Sequence, residues 1–177
     1  KSKDLFFAMS HGVHRGKLKK GKYDEREKFL DKLQTKLKDI DFDFFGYDNK
    51  EPLWADEFLE SLKNYDMGLN LSRGKPLKYY SSDRIVQIIG NGLLCLIDNK
   101  TQLLNLIPKD CAVYYKDVDD LAKKIKFYKE NVKIMKRIAN KGKKFYNKNY
   151  NSTIVSQFFI DTTFNLRNKY NYIWYKK

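Results

Sequence analysis

Two stretches of the chain carry residue types that suit the handling of an anion. The first is HGVHRGKLKKGK, residues 11–22. Gly12 and Gly16 let the backbone turn sharply and approach a ligand closely. Arg15 lies between them, and Lys17, Lys19 and Lys20 follow. Glycine freedom beside fixed positive charge is what a diphosphate needs. The pattern is neither G-x-G-x-x-G nor a Walker loop, because the Gly16-Lys17 pair lacks the upstream glycine spacing and the Ser/Thr. A solvated lysine loop has the same composition. The second stretch is Tyr79-Tyr80-Ser81-Ser82-Asp83-Arg84, which opens a helix that Gly90-Asn91-Gly92 closes. A helix start presents unpaired N–H groups and the positive end of the dipole, a place for a phosphate. Ser82 or Asp83 is its N-cap candidate, and Arg84 can add a bidentate contact. A plain capping motif with Arg84 turned to solvent is the other reading.

Other catalytic patterns are thinner. His11 and His14 titrate in the right range for acid–base work, but they have no carboxylate partner nearby in sequence. No Ser-His-Asp or Cys-His arrangement stands out. Cys95 sits inside LLCLI and Cys111 opens CAVYY, which reads as two buried, reduced thiols. Two Cys and two His at these spacings do not make a zinc site.

The elements that must position these residues alternate along the chain. Strand patterns fall at Leu5–Met9, Ile40–Tyr47, Met67–Leu71, Leu93–Asp98 and Cys111–Tyr115. Helical periodicity covers Asp24–Leu37, Ala55–Asn64, Ser82–Ile89, Val118–Tyr128, Val132–Tyr146 and Thr153–Leu166, with a helical turn at Gln102–Leu106. The fourth strand is apolar throughout, as a strand covered on both faces should be. Connections of this length suit parallel strands with helical crossovers. The expectation is an α/β, Rossmann-like, doubly wound parallel sheet of about five strands with extra C-terminal helices. In such a sheet ligands bind beyond the carboxyl ends of the strands. That rule selects the loops at 10–22, 47–53, 72–83, 98–102 and 116–119.

Size and charge bound the rest. At 177 residues the chain fits one domain. It opens on Lys1 and not on Met, and the expectation is a processed or excised piece with a partner domain outside it. No run of about 18 apolar residues spans a membrane, and a cytoplasmic location is the expectation. The net charge of +14 attracts polyanions: nucleic acid, anionic lipid or phosphorylated substrates. Sixteen Lys and Arg against five acids between Lys116 and Lys177 make the C-terminal helices a basic layer. The accompanying wealth of Lys, Asn, Ile, Tyr and Phe is also what an AT-rich genome produces.

The segment SSDRIVQIIGNGLLCLID resembles the GT-B glycosyltransferases, closest to the CgeB-like branch of the group 1 families. There an Arg-x-x-Glu helix precedes a small-residue turn and an apolar strand. Arg84 takes the arginine position, Gln87 the glutamate position, and Gly90-Asn91-Gly92 the turn. Asp66–Arg73 looks like the strand before it, and VDDLAKKIKFYKENVKIMKRIANKGKKFYNKNYN is similar to the C-terminal helices. The resemblance covers about Phe6 to Phe159. It departs at the pair of glutamates that hold donor-sugar and ribose hydroxyls, whose positions here are Tyr79 and Gln87. A glutamine still hydrogen-bonds a hydroxyl, as donor and acceptor, but it is neutral.

The resemblance implies a C-terminal domain that binds a nucleotide-diphosphate sugar, with an N-terminal acceptor domain outside this chain. Arg15 and Lys20, in the loop with Gly12 and Gly16, would neutralise the departing diphosphate, helped by N–H groups at Ser82, Asp83 and Arg84. Tyr47 would offer a stacking surface to the base, with a packing role equally open. GT-B enzymes use no metal for this, and the isolated domain is expected to be inactive. An anionic membrane surface is a compatible partner. The alternative function is a basic nucleic-acid-binding α/β domain, its basic C-terminal helices tracking phosphates. Against it, Phe127, Tyr128, Phe145 and Phe158 fall largely at core-facing spacing. A receiver-like domain is disfavoured because Ser10-His11 and Asn70-Leu71 do not supply its acidic cluster.

Overall fold

The computed structural model describes residues 2–10 and 24–175. The glycine and lysine loop, with His11, Gly12, His14, Arg15, Gly16 and Lys20, lies outside the described residues. Five strands and six α-helices alternate in the order β1 (Lys3–Ala8), α1 (Glu25–Gln34), β2 (Phe42–Phe45), α2 (Ala55–Leu62), β3 (Tyr65–Asn70), α3 (Asp83–Gly90), β4 (Leu94–Asp98), β5 (Val113–Tyr115), α4 (Val118–Glu130), α5 (Val132–Asn149) and α6 (Ser152–Thr163). Two short 3-10 turns, Asn99–Thr101 and Leu103–Asn105, join β4 to β5. All pairings are parallel, in the order β2-β1-β3-β4-β5. The fold is therefore the doubly wound α/β sheet that the alternation of patterns requires, and its order reverses between β1 and β3.

The period-2 alternation of each strand decides which helix layer it feeds. Leu5, Phe7, Met67, Leu69, Leu94, Leu96, Val113 and Tyr115 face one layer, where they meet Leu30 and Leu33 of α1 and Leu121 and Ile125 of α4. Phe6, Ala8, Cys95 and Ile97 face the other, with Leu62 of α2, Ile85 and Ile88 of α3 and Tyr146 of α5. Each such side chain, fully covered, contributes about 1.5–3 kcal/mol. Helix α5 reaches both layers, through Met135 and Ala139 on one side and Tyr146 on the other. It sits so close to the chain before β5 that a Cβ on Gly142 would stand 2.2 Å from the Cys111 carbonyl oxygen. Both cysteines are free and buried, and burial pushes the Cys95 thiol well above its ordinary pKa.

Boundaries shift from the sequence expectation by a few residues. The third strand begins at Tyr65 rather than Met67, and the fifth begins at Val113 rather than Cys111. Helix α6 stops at Thr163, three residues short of Leu166, because the chain turns there with Asn165 in the left-handed region (φ 51°). The tail folds back on the body: Trp174 stacks on Tyr150, and Phe158 packs against Tyr172 and Trp174. Phe127, expected in the core, is 47% exposed. Among the described residues no helix is long and apolar enough to cross a membrane.

Candidate functional site

Two cavities open at the C-terminal edge of the sheet, one on each side of the β1/β3 reversal. The first, about 440 Å³, is bounded by the end of β1 (Ala8 to Ser10), the start of α2 (Leu53 to Leu59) and the first turns of α3 (Asp83, Arg84, Gln87). The second, about 500 Å³, lies among the starts of α1 and α4, the loop after β3 and the end of β4; Arg26, Lys28, Ser72, Asp98 and Lys116 are in its wall.

Arg84 stands at the reversal itself. Its Nε donates to the Ala8 carbonyl at 3.0 Å and its Nη1 to the Leu71 carbonyl at 3.1 Å, while the guanidinium lies 4.9 Å from the Phe7 ring centroid. One side chain thus ties the ends of β1 and β3 together. Burial, with the nearby Arg26 guanidinium, lowers its pKa to about 10, so it keeps its charge at neutral pH. Of the two sequence readings for Arg84, the solvent-facing one is corrected: the strand-end carbonyls hold it inside, and it stands in the wall of the first cavity.

Ser82 occupies the N-cap position of α3 with extended backbone (φ −82°, ψ 158°), yet its side chain makes no cap. The hydroxyl donates instead to Asn70 Oδ1 at 2.8 Å, at the end of β3. The capping motif expected from the sequence is present in residue type and absent in geometry. The first-turn amides of α3 keep no side-chain acceptor, and the dipole's positive end faces the strand ends. Asn70 is 1% exposed, and its Nδ2 has no hydrogen-bond partner; neither has the buried Ser72 Oγ in the loop that follows. Unsatisfied buried polar atoms cost about 1–3 kcal/mol each; Ser72 stands in the wall of the second cavity.

Helix α2 begins in an equally unusual way. Trp54 at its N-cap provides no side-chain hydrogen bond and is 62% exposed at the cavity mouth. Ala55, the first helical residue, has φ 43°, a left-handed backbone that costs a non-glycine residue about 1–2 kcal/mol.

The sequence-predicted residues divide. Asp83, Arg84 and Gln87 line the first cavity together, and Ser82 stands behind them against Asn70. Tyr47 is not with them. It donates a hydrogen bond to Asp31 and lines a separate cavity of about 550 Å³ with Glu27, Asp48 and Asn49. Gly12, Arg15, Gly16 and Lys20 are outside the described residues, but Ser10 and Asp24, which flank their loop, both stand at this edge: Arg26 Nη2 donates to the Ser10 carbonyl at 3.0 Å and to Asp24 at 2.5 Å. Arg26, Trp54, Asn70 and Ser72 escaped the sequence reading. Arg26 follows its capping Asp24 by two residues ahead of an amphipathic helix, and Trp54 stands in a polar loop after a strand, signals that were there to be weighed. Nothing in the sequence marks which atom of Asn70 would be left over.

A doubly wound parallel sheet whose order reverses beside a cavity defines an α/β protein of Rossmann-like fold. Residues 25–161 match the glycosyl transferase-like family, and the chain belongs to it. No curated protein matches the chain.

Proposed function

We propose that the chain is the donor-binding domain of a GT-B glycosyltransferase of the CgeB-like branch, and that a nucleotide-diphosphate sugar lies in the 440 Å³ cavity at the β1/β3 reversal. The observation that carries this reading is the convergence of Asp83, Arg84 and Gln87 on one cavity whose helix start is uncapped, beside an Asn70 amide without a partner. In this reading the diphosphate rests on the free amides of α3 and on the charge of Arg84. Arg15 and Lys20, which lie outside the described residues, are assigned to the same diphosphate by their charge alone. Gln87 and the carboxylates of Asp56 and Asp83 suit sugar or ribose hydroxyls, which donate to them. The exposed indole of Trp54, with Leu53 and Phe58 beside it, offers the base a stacking surface within the cavity, which Tyr47 does not.

The chemistry asked of this domain is electrostatic. As the bond from the anomeric carbon to the diphosphate oxygen breaks, negative charge grows on the leaving group, and fixed cations and amide dipoles already point at it. The acceptor oxygen forms the new bond and loses its proton to a base on the partner domain. No metal is required in this scheme.

A thermal-shift series with UDP, GDP, CDP and their sugars tests the reading. Ligand at a hundredfold excess over its dissociation constant adds about 2.7 kcal/mol to the folded state. At least one nucleoside diphosphate should raise the melting temperature, and Gln87→Ala and Trp54→Ala, both substitutions at the cavity wall, should shrink the shift without unfolding the chain. If no nucleotide moves the transition at millimolar concentration, the donor reading fails.

A further inference from the structure

The part of the molecule farthest along the chain has a second surface that the donor reading leaves unused. Helix α6 turns Phe158 and Asp161 inward. Asp161, 2% exposed, accepts from Tyr172 Oη at 2.5 Å, from the Lys169 amide at 2.8 Å and from Gln157 Nε2 at 2.8 Å, and so fixes the returning tail. The end of the helix is equally fixed. The Leu166 amide donates to the Asp161 carbonyl and the Asn165 amide to the Thr162 carbonyl, the paired bonds of a Schellman turn with Asn165 in the left-handed position. This ordered hairpin points four apolar side chains outward: Phe159 is 64% exposed, Ile160 45%, Phe164 70% and Leu166 52%. Phe164 and Leu166 also lie beyond the residues that match the family.

Charge identifies what would cover this hairpin. From Asn131 to Tyr175 there are nine Lys and Arg and one acid, and that acid is the buried Asp161. Arg167 and Lys169 follow Leu166 directly, and Lys144 and Lys148 close α5 just ahead of α6. A stretch of chain whose exposed charges are all cationic, carrying protruding apolar side chains, is complementary to an anionic bilayer, where apolar insertion and headgroup attraction act together and neither alone holds a protein firmly. We propose that the α6 hairpin docks on an anionic lipid surface, with Phe159, Ile160, Phe164 and Leu166 inserted at the acyl boundary and the lysines of α5 and the tail on the headgroups. A nucleic acid would use the same cations but would gain nothing from Ile160 and Leu166. The proposal is independent of nucleotide binding.

Co-sedimentation of the 177-residue chain with phospholipid vesicles tests it. Wild type should bind vesicles of phosphatidylcholine with roughly one-third phosphatidylglycerol, release as salt rises, and ignore pure phosphatidylcholine. The double variant Phe164→Ser/Leu166→Ser, whose side chains are exposed and whose melting temperature should stay at the wild-type value, should bind about tenfold or more weakly. The variant Lys144→Glu/Lys148→Glu should also lose binding. No binding to anionic vesicles, or binding that the double serine variant leaves unchanged, overturns the proposal. So does tighter binding to a duplex oligonucleotide that survives the serine substitutions, which would make the surface a nucleic-acid face.

Discussion

The two sides of the sheet's C-terminal edge start their helices differently. On one side, α1 and α4 are capped by their own residues: Asp24 accepts from the Arg26 amide and Asp117 from the Asp120 amide, with further acids in each first turn. On the other, α2 and α3 begin at Trp54 and Ser82 with no side-chain cap at all. Capping is worth about 1 kcal/mol per helix, and Ser82 is a residue that caps well, so its diversion to Asn70 is a cost without a local return. Each capped helix gives a first-turn amide a side-chain acceptor of its own, while first-turn acids are common to both sides, Asp56 and Asp83 standing in the first cavity's wall. The uncapped side still has amides to offer. That contrast is the reason to place the donor's diphosphate at α3 and not at α1 or α4.

Removing Arg84 should have the largest effect. Arg84→Ala takes a buried cation from the carbonyls of Ala8 and Leu71 and opens a void over Phe7. The expected loss is about 3 kcal/mol in urea unfolding, together with the nucleotide-dependent shift. Arg84→Lys should recover part of the stability but little of the ligand effect, since an ammonium cannot span both strand ends. If Arg84→Ala folds normally and still responds to nucleotide, the uncapped side is not the site.

A satisfied buried carboxylate supplies a second measure. Asp43 sits in β2, 6% exposed, where burial alone would raise its pKa. Hydrogen bonds from Lys3 at 2.6 Å, from Lys50 and from Tyr65 outweigh burial and bring it to about 2. A carboxyl depressed in the folded state contributes stability that is complete above its unfolded pKa near 4 and is lost as pH falls toward 2. Wild type should therefore lose about 2 kcal/mol more than Asp43→Asn between pH 5 and pH 2, while nucleotide binding measured above pH 5 is the same in both. Equal acid sensitivity would mean that this cluster, like the one at Asn70, is not closed upon itself.

How much of this could be read beforehand follows from what each residue's position depends on. Strands such as Leu94–Asp98, apolar throughout and covered on both faces, declare themselves by local pattern, and the all-parallel sheet follows from the length of the crossovers between them. Asp83, Arg84 and Gln87 were legible as a set because one helix turn carries all three. Tyr47 was misleading because its partner, Asp31, comes from a helix separated from it by a strand, and no local pattern reports that pairing. The idle cap of Ser82 was hidden for the same reason: residue type says that serine caps, and only the tertiary position of Asn70 shows what it does instead. The order β2-β1-β3-β4-β5, which puts the cavity at β1/β3, is likewise set by long-range pairing.

The capping contrast itself is tested by a matched pair of smaller substitutions. Asp117→Ala removes a working cap and should cost about 1 kcal/mol with no change in nucleotide affinity. Ser82→Ala removes no cap; it leaves Asn70 Oδ1 with only the long contact from Arg84 Nη1 at 3.5 Å, should cost about 1 kcal/mol or more, and should weaken nucleotide binding because Asn70 is then held less firmly. Calorimetry of unfolding and nucleotide titration on both variants give the four numbers. The reverse outcome, with Asp117→Ala weakening the nucleotide and Ser82→Ala not, would move the site to the second cavity.

The smallest effect concerns Ala55, where the uncapped side carries its strain. At φ 43° alanine forgoes about 1–2 kcal/mol that glycine does not. Glycine gives back about 0.5–1 kcal/mol through the greater freedom of its unfolded chain. Ala55→Gly should therefore stabilise the protein by about 0.5 kcal/mol, a rise of one or two degrees in melting temperature for a chain of this size. The same change loosens the turn that holds Trp54 at the cavity mouth, so the nucleotide-dependent shift should fall as the apo protein gains. Opposite movement of the two quantities is the signature of strain kept for the ligand. If Ala55→Gly destabilises the apo protein instead, the left-handed backbone there is well supported by its surroundings, and the start of α2 belongs with the capped helices as ordinary structure.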